Sequence, residues 1–225
     1  MDVYEAMRTT FAAREFIDEP VSDDTVFSIL DRARFAPSGG NRQGWHVIVV
    51  RDRATREGLA KATVPAAKRY TAQGKAGENP WNTIDPTSVD AATIERTEAN
   101  ARLLEPVLKA PVVLVICVDL KVVASTDQYL KRVGIISGAS IYPFAWNVLL
   151  SARAHGLGGT ITTLAVSEEP QLKTLMGIPD HVAVCAVMPL GRPVKQLTKL
   201  RRKPVPEFAV RERWGGAALT GEKRP

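Results

Sequence analysis

With 225 residues, 45% of them apolar and 24% charged, the chain has the make-up of one folded domain with a sizeable core; it is too apolar for a disordered tail and short for two domains. The net charge is +6, with much of the excess late in the chain, where Lys195, Lys199, Arg201, Arg202, Lys203, Arg211 and Arg213 face only Glu207 and Glu212. That stretch is not interleaved with aromatics and its prolines break any continuous helix, so an anionic cofactor or a solvated arm is expected there and not nucleic acid.

Asp2 is placed to cap a first helix to about Met7, turning Val3, Ala6 and Met7 inward. After the polar stretch Arg8–Phe16, Ser22 is a good N-cap, with Asp23 and Asp24 in the first turn to complement the helix dipole. Val26, Ile29, Leu30 and Ala33 follow at helical spacing, and Pro37 ends the helix because the residue before a proline avoids the α region. Next comes a loop with Pro37, Ser38, Gly39, Gly40, Asn41 and Gln43. Its glycines allow close backbone approach and its short polar side chains donate and accept in many directions. Two readings stand: a cradle for a flat heterocycle with a polar edge, or a plain helix-to-strand connection of ordinary length. A strand Val47–Val50 and a short helix from Asp52 to about Ala62 are expected beyond it.

Residues 64–87 carry breakers and isolated aromatics, Tyr70 and Trp81, and read as an insertion whose aromatics are packed or face a second subunit. One helix is expected over Ala91–Leu108, its end frayed or kinked by Pro106. The unbroken apolar run 111–118 reads as a strand buried on both faces. From Gly134 to His155 a long helix is expected, bent at Pro143 and apolar almost all round, so that it must be buried. Gly156 suits its C-cap, Ser167 a further N-cap, Gly177 a helix end, and 182–188 a second buried strand. Cys117 and Cys185 fall in separate core strands and read as reduced packing residues. With no leader-like segment and no apolar run of bilayer length, a cytoplasmic protein without a membrane partner is expected. His46, His155 and His181 lack metal-ligand spacing, and no Ser/His/Asp or Cys/His cluster suggests nucleophilic catalysis.

Several phrases together resemble the FMN-dependent nitroreductase family: "APSGGNRQGWHVIVVRD" for its Pro-Ser-x-x-Asn-x-Gln-Pro-Trp phrase, Arg8–Phe16 for its opening Arg-Arg-Ser-x-Arg-x-Phe, "MGIPDHVAVCAVMPLGRPV" for its lGiP…lGyP segment and Leu200–Val205 for its Arg-Lys-Pro element. "AHGLGGTITTL" is similar to the iodotyrosine deiodinase branch. The likeness runs from about Arg8 to Trp214. It implies an α+β fold, a central mixed β-sheet flanked by helices in an intertwined homodimer, as a single domain over 1–225 with 64–87 as a possible lid or insertion and 205–225 as a C-terminal arm. It implies FMN at the subunit interface, held by Arg14, Pro37, Ser38, Asn41, Gln43, Ile161, Thr162, Thr163 and Arg202. Arg202 would take the phosphate and Arg14 the pyrimidine edge, where the reduced flavin becomes anionic. Tyr70 and Trp81 would line the substrate side. The activity implied is hydride transfer from NAD(P)H through flavin N5 to a nitroaromatic, quinone or similar small acceptor. A flavin store or sensor with little turnover, or oxygen-dependent flavin chemistry, are the other readings of such a chain. Departures are plain: Thr10, Phe11 and Ala12 stand where arginines and a serine are expected, Gly44 replaces a proline and Arg192 an aromatic. Arg8 or Arg42 are the residues that could compensate at the first of these.

Overall fold

The computed structural model describes residues 1–221; the last four residues, on which a disordered end was expected, lie outside the described part. Helices α1 (Val3–Thr9), α2 (Asp23–Ala33) and α3 (Arg53–Lys75) are capped as their sequences dictate. The side chains of Asp2, Ser22 and Asp52 accept from the N–H groups of Glu5, Thr25 and Thr55, satisfying donors that a helix start leaves unpaired. In α1, Ala6 is buried, but Val3 and Met7, expected inward, are exposed.

Strands β1 (Trp45–Val50), β2 (Val112–Asp119), β3 (Gly158–Gly159) and β4 (Val182–Gly191) form one sheet in the order β1-β2-β4-β3. Neighbours in it run antiparallel. The expected mixed sheet is therefore realised as an antiparallel one, its parallel component confined among the described residues to a single bridge, Ala12 with Gly159. Alternation sends Val112, Leu114, Ile116 and Val118 of β2 to one face, against α2 and α6 (Tyr142–Ala154). Val113, Val115 and Cys117 go to the other, against α3, α5 (Glu105–Lys109) and α7 (Glu169–Met176). Helices on both faces explain why an antiparallel strand reads as an unbroken apolar run.

Three expected helices are redrawn. The helix begun at Asp52 does not stop near Ala62; it runs through Pro65 to Lys75. An interior proline forfeits one helical hydrogen bond and costs about 3 kcal/mol, which burial of Leu59, Ala62, Ala66 and Ala67 along one side offsets. Half of the expected lid or insertion is thus helix. The single helix over Ala91–Leu108 is instead α4 (Ala91–Arg96), a 3-10 turn Ala101–Leu103 capped by Asn100, and α5, with Pro106 in its first turn. The long helix from Gly134 is a 3-10 segment Ile136–Ser140 followed by α6, where Pro143 starts the helix instead of bending it. Ser167 is no N-cap: its hydroxyl donates to the Leu164 carbonyl at 3.0 Å, and α7 begins at Glu169. Gly156 and Gly177 take the left-handed conformation at helix ends, at φ 75° and 65°. No helix among the described residues is long and apolar enough to cross a membrane.

Candidate active site

The segment after α1 is stitched between two others. Ala13 N–H donates to Gly159 O at 2.9 Å, while Ile17 N–H donates to Arg192 O and Val194 N–H to Glu15 O, both at 3.0 Å. Thr162 and Val187 exchange backbone hydrogen bonds of 3.0 and 2.8 Å. Arg14, Thr160–Thr163 and Lys195 are therefore delivered to one place by backbone pairing, from three distant parts of the chain.

What they enclose is a trough of three adjoining cavities. The first, about 520 Å³, is lined by Phe11 to Glu15 together with Arg102, Leu103, Lys195 and Leu197. The second, about 170 Å³, shares Arg14, Arg102 and Leu103 and adds Tyr70 and Thr160 to Leu164. Sharing Tyr70, Thr163 and Leu164 with it, the third is about 450 Å³ and is closed by Ala66, Trp81 and Val166. Small-molecule sites commonly occupy roughly 300–1,000 Å³. Chemistry is graded along the trough: cations at one end, threonines in the middle, aromatic and aliphatic side chains at the other.

The aromatic end is held in place. Trp81 adopts φ 58°, its N–H donates to Oε1 of the buried Gln73 at 3.1 Å, and the Arg69 guanidinium lies 4.4 Å from its ring centre. The loop behind it is knotted by Glu78, whose carboxylate accepts from Thr87 Oγ1, Ser88 N and Ser88 Oγ, each at 2.7 Å. Those hydrogen bonds, the Ser88 hydroxyl's first among them, pull its pKa down from 4.5 to about 2.

One chain thus brings together Arg14, Ile161, Thr162, Thr163, Tyr70 and Trp81. It does not bring Pro37, Ser38, Asn41, Gln43 or Arg202 to the same trough. The 37–43 loop folds on itself: Ser38 Oγ accepts from Gln43 N at 2.9 Å and Gln43 Nε2 donates to Asn41 O at 3.2 Å. Gly40, Asn41 and Gln43 all take positive φ, at 61°, 52° and 49°. For the two non-glycine residues this backbone is costly and is found mostly where a ligand or turn demands it. Gly39 N–H donates to Ser140 Oγ at 3.1 Å, tying the loop to the start of α6. Arg202 is exposed and donates to the Arg201 carbonyl at 2.8 Å. Gly44 has a packing reason: a Cβ there would lie 2.6 Å from the Val122 side chain. Arg192 forms a two-point ion pair with Glu19 at 2.6 and 2.9 Å.

Sequence reasoning missed Arg102 and named Lys195 only as one member of the basic stretch expected to serve an anionic cofactor or a solvated arm; neither lies in a recognisable motif. Only the break in the helix over Ala91–Leu108 and the pairing of Val194 with Glu15 place them. Arg8 and Arg42 do not line the trough. Cys117 and Cys185 are raised by burial to about 11 and about 12, so both stay protonated thiols at neutral pH, away from the trough.

The fold is that of known flavoproteins. The crystal structure of oxidized iodotyrosine deiodinase bound to FMN and 3-iodo-L-tyrosine superposes with a TM-score of 0.65 at 18% identity, covering 91% of this chain and 96% of that one. The nitroreductase family model matches residues 7–192, and the chain belongs to the nitroreductase family, a family of oxidoreductases. Nitrobenzene nitroreductase from Ectopseudomonas oleovorans is 28% identical over 205 residues, 82% of this chain and 84% of that protein. Human iodotyrosine deiodinase 1 is 24% identical over 211 residues, 93% of this chain and 68% of that protein.

Proposed function

We propose that this protein is an FMN-dependent oxidoreductase that works as a homodimer and uses NAD(P)H as electron donor. The observation that carries the reading is the graded trough from Lys195 and Arg14 to Tyr70 and Trp81. Its donor set fits FMN, which has an anionic tail, a hydrogen-bonding heterocyclic edge and an apolar ring. Bound there, FMN would supply hydride chemistry at N5 between NAD(P)H and a nitroaromatic, quinone or similar small acceptor. The chain's own residues bind and orient. Arg14 holds positive charge at the pyrimidine edge, where negative charge develops. Ile161, Thr162 and Thr163 support the ring plane, and Tyr70 and Trp81 cover the acceptor and exclude water from it.

A second copy completes the site in this reading. Tyr142 and Trp146 of α6 are 42% and 38% exposed and lie one turn apart. The Pro37–Gln43 loop is tied to Ser140 beside that uncovered face, so a copy docked there carries its Pro37, Ser38, Asn41 and Gln43 into the interface. Trp214 is fully exposed and leaves apolar surface to cover. An interface of this kind belongs to the large, obligate class.

The test is chemical. Flavin released from the denatured protein is expected to be FMN by chromatography, and NADH or NADPH is expected to bleach the bound flavin, with colour returning on adding a nitroaromatic or quinone. FAD, or no flavin after reconstitution, would refute the cofactor. A folded, flavin-loaded monomer in dilute sedimentation would refute the dimer. The altered opening motif at Thr10 favours one alternative, a flavin-holding protein with little turnover; bleaching without reoxidation by any such acceptor would decide for it.

A further inference from the structure

The family's opening motif carries arginines where this chain has Thr10 and Phe11. Thr10 does not stand in for them: its side chain is buried and its hydroxyl donates to the Ala6 carbonyl at 2.7 Å. Arg202 is turned to its own neighbour's carbonyl and lies outside the trough. The 520 Å³ cavity is nevertheless lined by three cations, Arg14, Arg102 and Lys195, against one carboxylate, Glu15. Two of these cations belong to no motif. Arg102 sits on the 3-10 turn capped by Asn100, whose side chain accepts from the Arg102 N–H at 3.0 Å. Lys195 follows directly on Val194, which is paired with Glu15. Both are held by backbone contacts while their charged ends remain exposed.

Resting on the flavin reading above, we propose that Lys195 and Arg102 receive the phosphate of the cofactor in this chain, supplying the positive charge that its opening motif lacks. Position supports the order. Arg14 and Arg102 line both the first cavity and the one containing Thr160–Thr163, whereas Lys195 lines only the first. A ring lying against Thr160–Thr163 therefore directs its phosphate tail past Arg102 toward Lys195. Glu15 works against this arrangement. Its carboxylate accepts from Arg102 at 3.2 Å and faces the same cavity, so it competes with the phosphate for Arg102 and repels it. Charge-assisted hydrogen bonds to phosphate are among the stronger polar contacts, weakened here by exposure to solvent.

The test compares FMN with riboflavin, which has the same ring and ribityl chain and no phosphate. Each is titrated by calorimetry into the flavin-stripped full-length protein and into Lys195→Gln, Arg102→Gln and Glu15→Gln, with thermal midpoints as a folding check. Lys195→Gln and Arg102→Gln are expected to weaken FMN about three- to tenfold each and to flatten the dependence of FMN affinity on salt. Because Lys195 lines only the first cavity, Lys195→Gln leaves riboflavin unchanged, whereas Arg102→Gln weakens riboflavin by a smaller factor than FMN. Glu15→Gln is expected to tighten FMN about twofold and leave riboflavin unchanged. If the unaltered protein binds FMN while the lysine and arginine variants match it, or lose riboflavin by the same factor, this assignment is overturned and the flavin reading survives. If the unaltered protein binds neither flavin, both fall.

Discussion

The N–H of Trp81 donates to Oε1 of Gln73, eight residues earlier on the last turns of α3, at 3.1 Å. Gln73 is buried, so this one contact links the wall of the aromatic cavity to the stretch of α3 beyond Pro65.

Replacing Gln73 by leucine keeps the size of the side chain and removes the acceptor. A hydrogen bond of this kind contributes about 1 kcal/mol, and the Trp81 N–H is only part-buried, so Gln73→Leu is expected to lower stability to denaturant by about that amount. Trp81 emission, isolated by subtracting a Trp81→Phe background, is expected to shift to the red. An unchanged spectrum would mean that Arg69 alone holds the indole in place.

Acid is expected to loosen the same loop. Hydrogen bonding holds the Glu78 pKa at about 2, below its ordinary 4.5. A depressed carboxylate contributes stability that is fully present above the ordinary value and is lost as pH falls through the depressed one. Protection of the Ser88 amide against hydrogen exchange, corrected for intrinsic rate, should therefore hold above about pH 4.5 and fall from there toward pH 2. In Glu78→Gln the protection should be low at all pH values; a variant that retains the acid transition would assign it elsewhere, for example to Asp127. The backbone N–H of Ile135, together with Arg132 and Ser125, likewise holds that carboxyl below the usual range.

Two glycines should respond with opposite signs. A Cβ at Gly159 would lie 2.5 Å from the Pro189 carbonyl oxygen and press on Leu190, at the point where β3 meets both β4 and Ala13. Gly159→Ala is expected to destabilise by about 3 kcal/mol and to disturb the trough. Gly74, inside α3 with open space around it, should gain about 0.5–1 kcal/mol as alanine. Equilibrium unfolding of both variants checks the pair.

Arg14 lines both the first cavity and the one walled by Thr160–Thr163, which puts its charge beside the ring of a bound flavin in the proposed function. Removing it disfavours the anionic reduced form, so Arg14→Gln is expected to lower the midpoint potential. About 30 mV corresponds to 1.4 kcal/mol for a two-electron couple, which makes even a modest electrostatic loss readable against reference dyes. An unchanged potential at saturating FMN would remove Arg14 from the pyrimidine edge.

Much of the fold was legible because its signals are local. Asp2, Ser22 and Asp52 cap helices through an N–H three residues on, and the geometry of one turn suffices to predict that. Residues 112–118 alternate between two cores, and apolar composition announces burial without naming the neighbours. Errors came where a local breaker met a tertiary surface. Pro65 ends a helix judged alone, yet α3 continues because its alanine-rich side is covered. Pro106 and Pro143, read as faults within helices, start them, since a proline lacks only an N–H that the first turn cannot use.

For the site, sequence by itself determined only candidates: Arg14, the Pro37–Gln43 loop, Ile161, Thr162, Thr163 and Arg202 through short motifs, and Tyr70 and Trp81 as isolated aromatics. Tertiary structure alone decided which of these meet. Backbone pairing of 12–17 with β3 on one side and with 192–194 on the other closes the trough, and those partners lie well over a hundred residues away, beyond the reach of any local pattern. It also brought Arg102 and Lys195, of 30 lysines and arginines, to the lining of the trough. An exposed cation acquires a role from what it faces, and what it faces is set by packing.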